Sequence, residues 1–295
     1  MRWIIKPEPK IEVVTQLSND LDVDLNIASL LVSRGITNFN EAKNFFRPNP
    51  SSLHDPYLMK DMDKAVCRVK SALTKNERIL VYGDYDVDGT TSVAMLASYL
   101  ENKTKNIETY IPDRFDEGYG ISYKGIDYAA DNNFNLVIAL DCGVKALEKI
   151  DYANKKGIDF IICDHHRPGN DLPKAVAVLD PKRSDCNYPY KDLCGCGVGF
   201  KLIQALGKQY SETTEELMSY LDLVAIAIGA DIVSLTGENR TLAYYGVKLI
   251  NSKPRPGIQA LIENISKEIL TLTDLNFIVA PRINAAGRMK HGAYA

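Results

Sequence analysis

The sequence predicts an α/β protein: a doubly wound, mainly parallel sheet flanked by helices, with a helical N-terminal extension and a helical C-terminal segment. Three observations predict it. Short apolar runs, Ile79 to Val81, Leu136 to Leu140 and Phe160 to Cys163, lack polar alternation, as expected of strands covered on both faces. Helical patterns such as Thr91 to Leu100 and Lys145 to Lys156 stand between them. Acidic and imidazole groups follow each run, in Val81-Tyr-Gly-Asp-Tyr-Asp-Val-Asp-Gly89, Ala139-Leu-Asp-Cys-Gly143 and Ile161-Ile-Cys-Asp-His-His166. Open parallel sheets bind their ligands at such strand ends.

Taken in order, Lys10 to Lys60 reads as short helices, Asp24 to Arg34 and Asn40 to Phe46, the second capped by Asn40 and closed near Arg47-Pro-Asn-Pro50. A helix from Asp61 to Leu73 leads into the first strand. Asn106 to Ile111 is the second, its alternation weakened by threonine and glutamate, which suits an edge. The glycine-punctuated loop from Ile111 to Gly120 carries Arg114, either as plain surface or as a phosphate contact. Ala175 to Leu179 gives a further strand, ending at Asp180-Pro181, which reads as a turn and is left outside the site. Gly195, Gly197 and Gly199 open a helix and serve either phosphate contact or close packing. An apolar helix from Glu215 to Ala230 delivers Asp231. Helices Thr241 to Asn251 and Ile258 to Ile265 flank a hinge at Lys253-Pro-Arg-Pro-Gly257, and the segment from Phe277 to Lys290 is helical and basic, offering Arg282, Arg288 and Lys290 to phosphates. The expected domains are an extension over 1–75, the α/β domain over 76–252 and connector helices over 253–295.

With 295 residues, 45% of them apolar, the chain can bury one large core or two smaller ones. No apolar stretch approaches the roughly 20 residues that cross a bilayer, and Met1 to Lys6 is too brief for a signal segment. A cytoplasmic location is expected, and buried-looking Cys142 and Cys163 suit a reducing compartment. Cys186, Cys194 and Cys196 lack a fourth zinc ligand at the usual spacing. The net charge of −3 does not exclude a nucleic-acid partner, because cation-bound acids would be neutralised and a local basic patch is invisible in a sum.

Asp84, Asp86, Asp88, Asp141 and Asp164, with His165 and His166, fall at strand ends where like charges repel unless something positive lies between them. Divalent cations answer that need, and a carboxylate-rich set with imidazole suits Mn²⁺ or Mg²⁺ ahead of Zn²⁺. Two such ions about 3.5–4 Å apart stabilise the attacking and leaving oxygens of a phosphoryl displacement.

Asp84-Tyr-Asp-Val-Asp-Gly89, Asp141-Cys-Gly143, Asp164-His-His166 and Gly229-Ala-Asp231 resemble the four successive motifs of the DHH phosphoesterases. Arg282-Ile-Asn-Ala-Ala-Gly-Arg288, Glu117-Gly-Tyr-Gly120 and the stretch from His54 to Met62 are similar to the bacterial single-stranded-DNA exonucleases within that family. The resemblance implies release of 5′-mononucleotides from the 5′ end of single-stranded DNA, in repair and recombination, with two Mn²⁺ or Mg²⁺ ions. It implies Asp86 and Asp88 as ligands of separate metals, Asp141 as the bridging carboxylate, and His165 and Asp231 as further ligands. His166 would face the scissile phosphate with help from arginines such as Arg114, Arg282 and Arg288, while Asp164 would orient an imidazole. Many relatives carry a histidine where Tyr82 stands here, and Asp84 is expected to fill that gap. The partners implied are single-stranded DNA, single-strand-binding protein and a recombination helicase, with no membrane. Relatives of this branch also carry a second catalytic domain and usually an oligonucleotide-binding fold that these residues do not include, so a truncated, weakly active core is expected. The alternatives are a small-substrate DHH phosphatase or oligonucleotidase, and a non-catalytic replication scaffold of the same fold. An acid-rich receiver domain would give His165 and His166 no role.

Overall fold

The computed structural model describes residues 7–289 and 291–294; the Met1 to Lys6 segment and Lys290 lie outside the described residues. The chain divides into two compact units, 1–53 and 54–295.

In the smaller unit, α1 (Ile11–Leu21), α2 (Leu25–Val32) and α3 (Phe39–Phe46) close over Val14, Leu17, Ala28, Leu31, Ile36 and Ala42. Asp24 caps α2 through the amide of Asn26 at 2.8 Å. The cap of α3 is Asn38, not Asn40: Asn38 is extended and its side chain accepts from the Glu41 amide at 3.0 Å, which leaves Asn40 inside the first turn.

In the larger unit, α4 (Met62–Thr74) leads to β1 (Ile79–Gly83), and then follow α5 (Val87–Glu101), β2 (Ile107–Tyr110), α6 (Tyr123–Asp131), β3 (Leu136–Leu140), α7 (Leu147–Lys155), β4 (Asp159–Cys163) and β5 (Ala177–Leu179). The five strands pair in the order β2-β1-β3-β4-β5, all parallel. Both faces of β1 and β3 are buried, which is why their sequences show no alternation, while β2 at the edge leaves Glu108 and Thr109 exposed. The order reverses at β1, whose neighbours are β2 and β3. A crevice is therefore forced open at the carboxyl ends of β1 and β3.

The remainder is helical: α8 (Gly195–Gln209), α9 (Thr214–Met218), α10 (Leu221–Ala230), α11 (Gly237–Ser252), α12 (Pro256–Ile262), α13 (Leu272–Asp274), a π-helical turn (Leu275–Val279) and α14 (Ala280–Met289). Every residue of α10 from Leu221 to Gly229 is buried, and this helix packs against α5, α8 and α11, so it carries no polar stripe. The single apolar helix expected over 215–230 is two: a capping box between Thr213 and Glu216 starts α9, which ends at Met218, and α10 begins at Leu221. α5 begins at Val87, four residues ahead of the pattern read from sequence, and this places Asp88 in its first turn. α4 falls within the larger of these two units. No helix among the described residues is long and apolar enough to cross a membrane.

Candidate active site

The first turn of α5, the residue after β3, the turn after β4 and the end of α10 deliver Asp88, Asp141, His165 and Asp231 to one place. His165 Nε2 stands 3.2 Å from Asp141 Oδ1, 3.6 Å from Asp231 Oδ2 and 3.8 Å from Asp88 Oδ2. Two sets of potential ligand atoms each lie within 4.8 Å of one another: Asp141, His165 and His166, and Asp88, His165 and Asp231.

Local structure explains the convergence. Asp88 is wholly buried, and its two oxygens accept the first amides of α8, from Gly195 at 2.6 Å and Cys196 at 2.7 Å. The positive end of that helix thus faces a carboxylate. Of the three glycines expected to serve phosphates or packing, Gly195 holds an aspartate, and any side chain there would overlap the Asp141 carboxylate. Asp141 has φ 60°, a left-handed conformation that Asp tolerates better than most residues. Asp231 caps the C-terminus of α10; one oxygen accepts the Ile232 amide at 2.9 Å and the other is buried without a partner.

Electrostatically the cluster is incomplete by itself. Burial pushes the Asp88 and Asp141 carboxyls above their ordinary range, and neighbouring aspartates push both further in the same direction. Burial raises Asp84 to about 7, against the pull of the Gly120 amide. Burial also holds His165 below its ordinary value despite Asp231, which keeps it in the neutral form that ligates metals. Asp84 Oδ2, Asp231 Oδ2 and His165 Nδ1 are buried and have no hydrogen-bond partner among the described residues. Hard oxygens with a neutral imidazole, crowded and lacking positive charge, fit divalent cations.

Asp84 and Asp86 fall outside both sets. Asp86 caps α5 by accepting the Gly89 amide at 2.9 Å, and it adds to the charge felt by Asp84, Asp88 and Asp141. Tyr82 is turned away from the acids: its hydroxyl donates to the Gly120 carbonyl at 2.9 Å and accepts the Ser122 amide at 3.2 Å.

Asp164 is buried and spends its oxygens on the protein. Oδ2 accepts the Val144 amide at 2.8 Å, and Oδ1 accepts the amides of His165 at 2.7 Å and His166 at 3.0 Å. Oδ1 also lies 2.8 Å from His166 Nδ1. Burial works to raise this carboxyl, but the His166 ring and these amides outweigh it and hold it low, so Nδ1 carries the proton. Asp164 in turn raises the His166 pKa against its partial burial. His166 Nε2 then points to Tyr119, whose hydroxyl is 3.3 Å away and also donates to the Asp141 carbonyl at 3.3 Å. Tyr119 is not among the site residues expected from sequence, although it lies in the Glu117-Gly-Tyr-Gly120 motif.

The predicted arginines are dispersed. Arg114 stacks over the Tyr85 ring at 4.3 Å, near Asp84, with its Nε buried and unpartnered. Arg282 donates to the Leu261 carbonyl. Arg288 is exposed on α14, which reaches the turn after β1 where Gly287 meets the Tyr85 carbonyl. Of the cysteines, Cys194 caps α8 through the Gly197 amide at 3.3 Å, Cys196 contacts the Met95 sulfur at 3.8 Å, and Cys186 accepts from the Lys60 amide at 3.4 Å.

The model of the DHH family, N-terminal domain, matches residues 78–228. The chain is 38% identical over 292 residues to the single-stranded-DNA-specific exonuclease RecJ of Bacillus subtilis, covering 98% of this chain and 36% of that protein. It is 38% identical over 241 residues to RecJ of Escherichia coli, covering 77% and 42%. Among solved structures it resembles exonuclease RecJ bound to manganese (TM-score 0.73, 30% identity, 80% of this chain and 59% of that one). It also resembles Thermus thermophilus RecJ in complex with Mn²⁺ (TM-score 0.82, 26% identity, 99% and 41%). The chain thus spans between about a third and a half of the length of these curated relatives. With the family model covering just over half of its 295 residues, the acid and imidazole motifs included up to α10, the chain belongs to the DHH family.

Proposed function

We propose that this chain carries the metal-binding half of a single-stranded-DNA exonuclease that works from the 5′ end and releases 5′-mononucleotides. The observation that carries it is the meeting of Asp88, Asp141, Asp231 and His165 within 3.8 Å of one imidazole nitrogen, with buried oxygens left unpartnered. Asp88, Asp141, His165 and Asp231, with Asp84 and Asp86 nearby, would hold two Mn²⁺ or Mg²⁺ ions; His165 is the residue common to both ligand sets. Bound there, such cations supply the Lewis acidity that activates water and offsets charge gathering on phosphorus.

The remaining work falls to side chains. Asp164 fixes the tautomer and direction of His166. With its pKa raised, His166 offers a positive Nε2–H to a phosphate oxygen, and Tyr119 holds that nitrogen in place until a substrate displaces it. Arg114 and Arg288 are the arginines on the rim available to neighbouring phosphates, whereas Arg282 must first release Leu261. A role in DNA repair and recombination, a cytoplasmic location, and association with single-strand-binding protein and a helicase follow from this reading as expectations. The domain plan of a helical extension (1–75), a DHH domain (76–252) and connectors (253–295) leading towards a second catalytic domain belongs to the same proposal.

The test is single-stranded DNA labelled at the 5′ or the 3′ end, incubated with Mn²⁺ or with chelator. Mononucleotides appearing first from the 5′ label, and only with metal, support the reading. Internal cuts, metal-independent cuts, or turnover confined to dinucleotides would refute it.

A further inference from the structure

Beside His166, a pocket of about 280 Å³ opens between the Tyr119–Ile121 segment and the turn Gly143–Ala146 ahead of α7. That volume lies just below the range of small-ligand pockets, about 300–1,000 Å³. Its floor is apolar, with Ile121, Cys142 and Val144, and Gly143 is obligatory there: φ is 111° and a side chain would strike Ile121. Its mouth carries Lys145 and Lys149, four residues apart. Neither ammonium has a hydrogen bond or ion pair among the described residues. The acid lining the same pocket, Asp164, offers them little, because both its oxygens are taken by Val144, His165 and His166.

The physical need is plain. A polyanion drawn to this crevice meets Asp84, Asp86, Asp88, Asp141 and Asp231, so cations must flank the acids for the strand to lie down. Lys145 and Lys149, unpaired among the described residues, line the same pocket as His166 and border an aromatic ring that is half exposed. We infer that this pocket is a nucleotide subsite: it takes the unit next to the scissile phosphate, with Lys145 and Lys149 on its phosphate oxygens and Tyr119 against its base. The inference rests on the nuclease reading for the identity of the ligand, and its test does not depend on cleavage.

The measurement is equilibrium binding of a fluorescent single-stranded oligonucleotide by the chain carrying Asp141→Asn, which abolishes turnover yet suits the left-handed backbone. To this parent are added Lys145→Ala and Lys149→Ala together, or, as a charge-matched control, Lys105→Ala and Lys253→Ala. The subsite predicts a loss of about tenfold in affinity and a salt slope flatter by about 1.4, the loss of two single-strand phosphate contacts. The control pair should stay within about twofold. Equal losses in both pairs, an unchanged slope, or a parent that binds no oligonucleotide would overturn the subsite. Cleavage by the wild-type chain decides the nuclease reading separately.

Discussion

Asp141 concentrates the chemistry of the site into one residue. It is buried, left-handed, 3.2 Å from His165 Nε2, and covered by a helix start that only glycine permits. Without cations its charge is a burden. Asp141→Asn should therefore stabilise the fold in chelator, by the order of 1–2 kcal/mol of relieved repulsion and so with a higher melting temperature, while lowering hydrolysis by at least about a thousandfold. Calorimetry beside a nuclease assay checks both halves. The same crowding sets a pH dependence. Asp84, Asp88 and Asp141 have folded pKa values raised above the unfolded ones, so the metal-free fold binds more protons than the unfolded chain between about pH 4 and 7. Their contribution is full below the unfolded pKa and is lost as pH rises through the folded one. In chelator, denaturation midpoints should fall from pH 5 to pH 7.5, and Mn²⁺ should restore more at pH 7.5 than at pH 5. A larger metal effect at pH 5 would contradict this.

At the scale of elements, α8 is the part on which the geometry leans. Its first amides hold Asp88, and two turns on, Lys201 is fully buried and pairs with Glu238 of α11 at 2.5 Å. Glu238 also accepts the Tyr188 hydroxyl at 2.7 Å and the His54 amide at 2.9 Å, and Lys201 donates to the His54 carbonyl at 3.2 Å. Lys201→Met leaves Glu238 buried without its cation and should cost about 3–5 kcal/mol in urea unfolding. Adding Glu238→Gln should cost less than a second loss of that size, since the stranded charge is then gone. Gly195→Ala, by contrast, drives a methyl into the Asp141 carboxylate, and it should weaken Mn²⁺ binding at least about tenfold while costing only about 1–3 kcal/mol of stability. Much of this scale was legible in advance. Unalternating runs marked β1, β3 and β4, and motif acids marked their ends. What sequence did not reveal is nonlocal or hidden by short-range pattern. Asn38 outcompetes Asn40 because cap choice depends on backbone conformation, and α6 starts from Ser122 after a loop whose glycines mask it. Asp88 finds amides 107 and 108 residues away, a pairing no local signal announces.

For the whole molecule, the parallel order β2-β1-β3-β4-β5 is the decisive inheritance, since it opens the crevice between β1 and β3 into which four segments project. The fold class was written in the alternation of strands and helices, and the site in the acids that close each strand. The distribution of basic groups was not: Arg282 is committed to Leu261 while Lys145 and Lys149, unpaired among the described residues, line a pocket, and surface cations carry no periodicity that sequence could expose. A fold that assembles these acids only against positive charge should be stabilised by its cations. Mn²⁺ at about 100 times its dissociation constant should add about 2.7 kcal/mol, a rise of roughly 5–10 °C in melting temperature that Asp141→Asn largely removes. The most direct measurement is anomalous diffraction at the manganese edge from crystals grown with Mn²⁺. The account predicts manganese density in contact with Asp141 and His165, and with Asp88 or Asp231. Density lying elsewhere, or none beside these side chains, would contradict it.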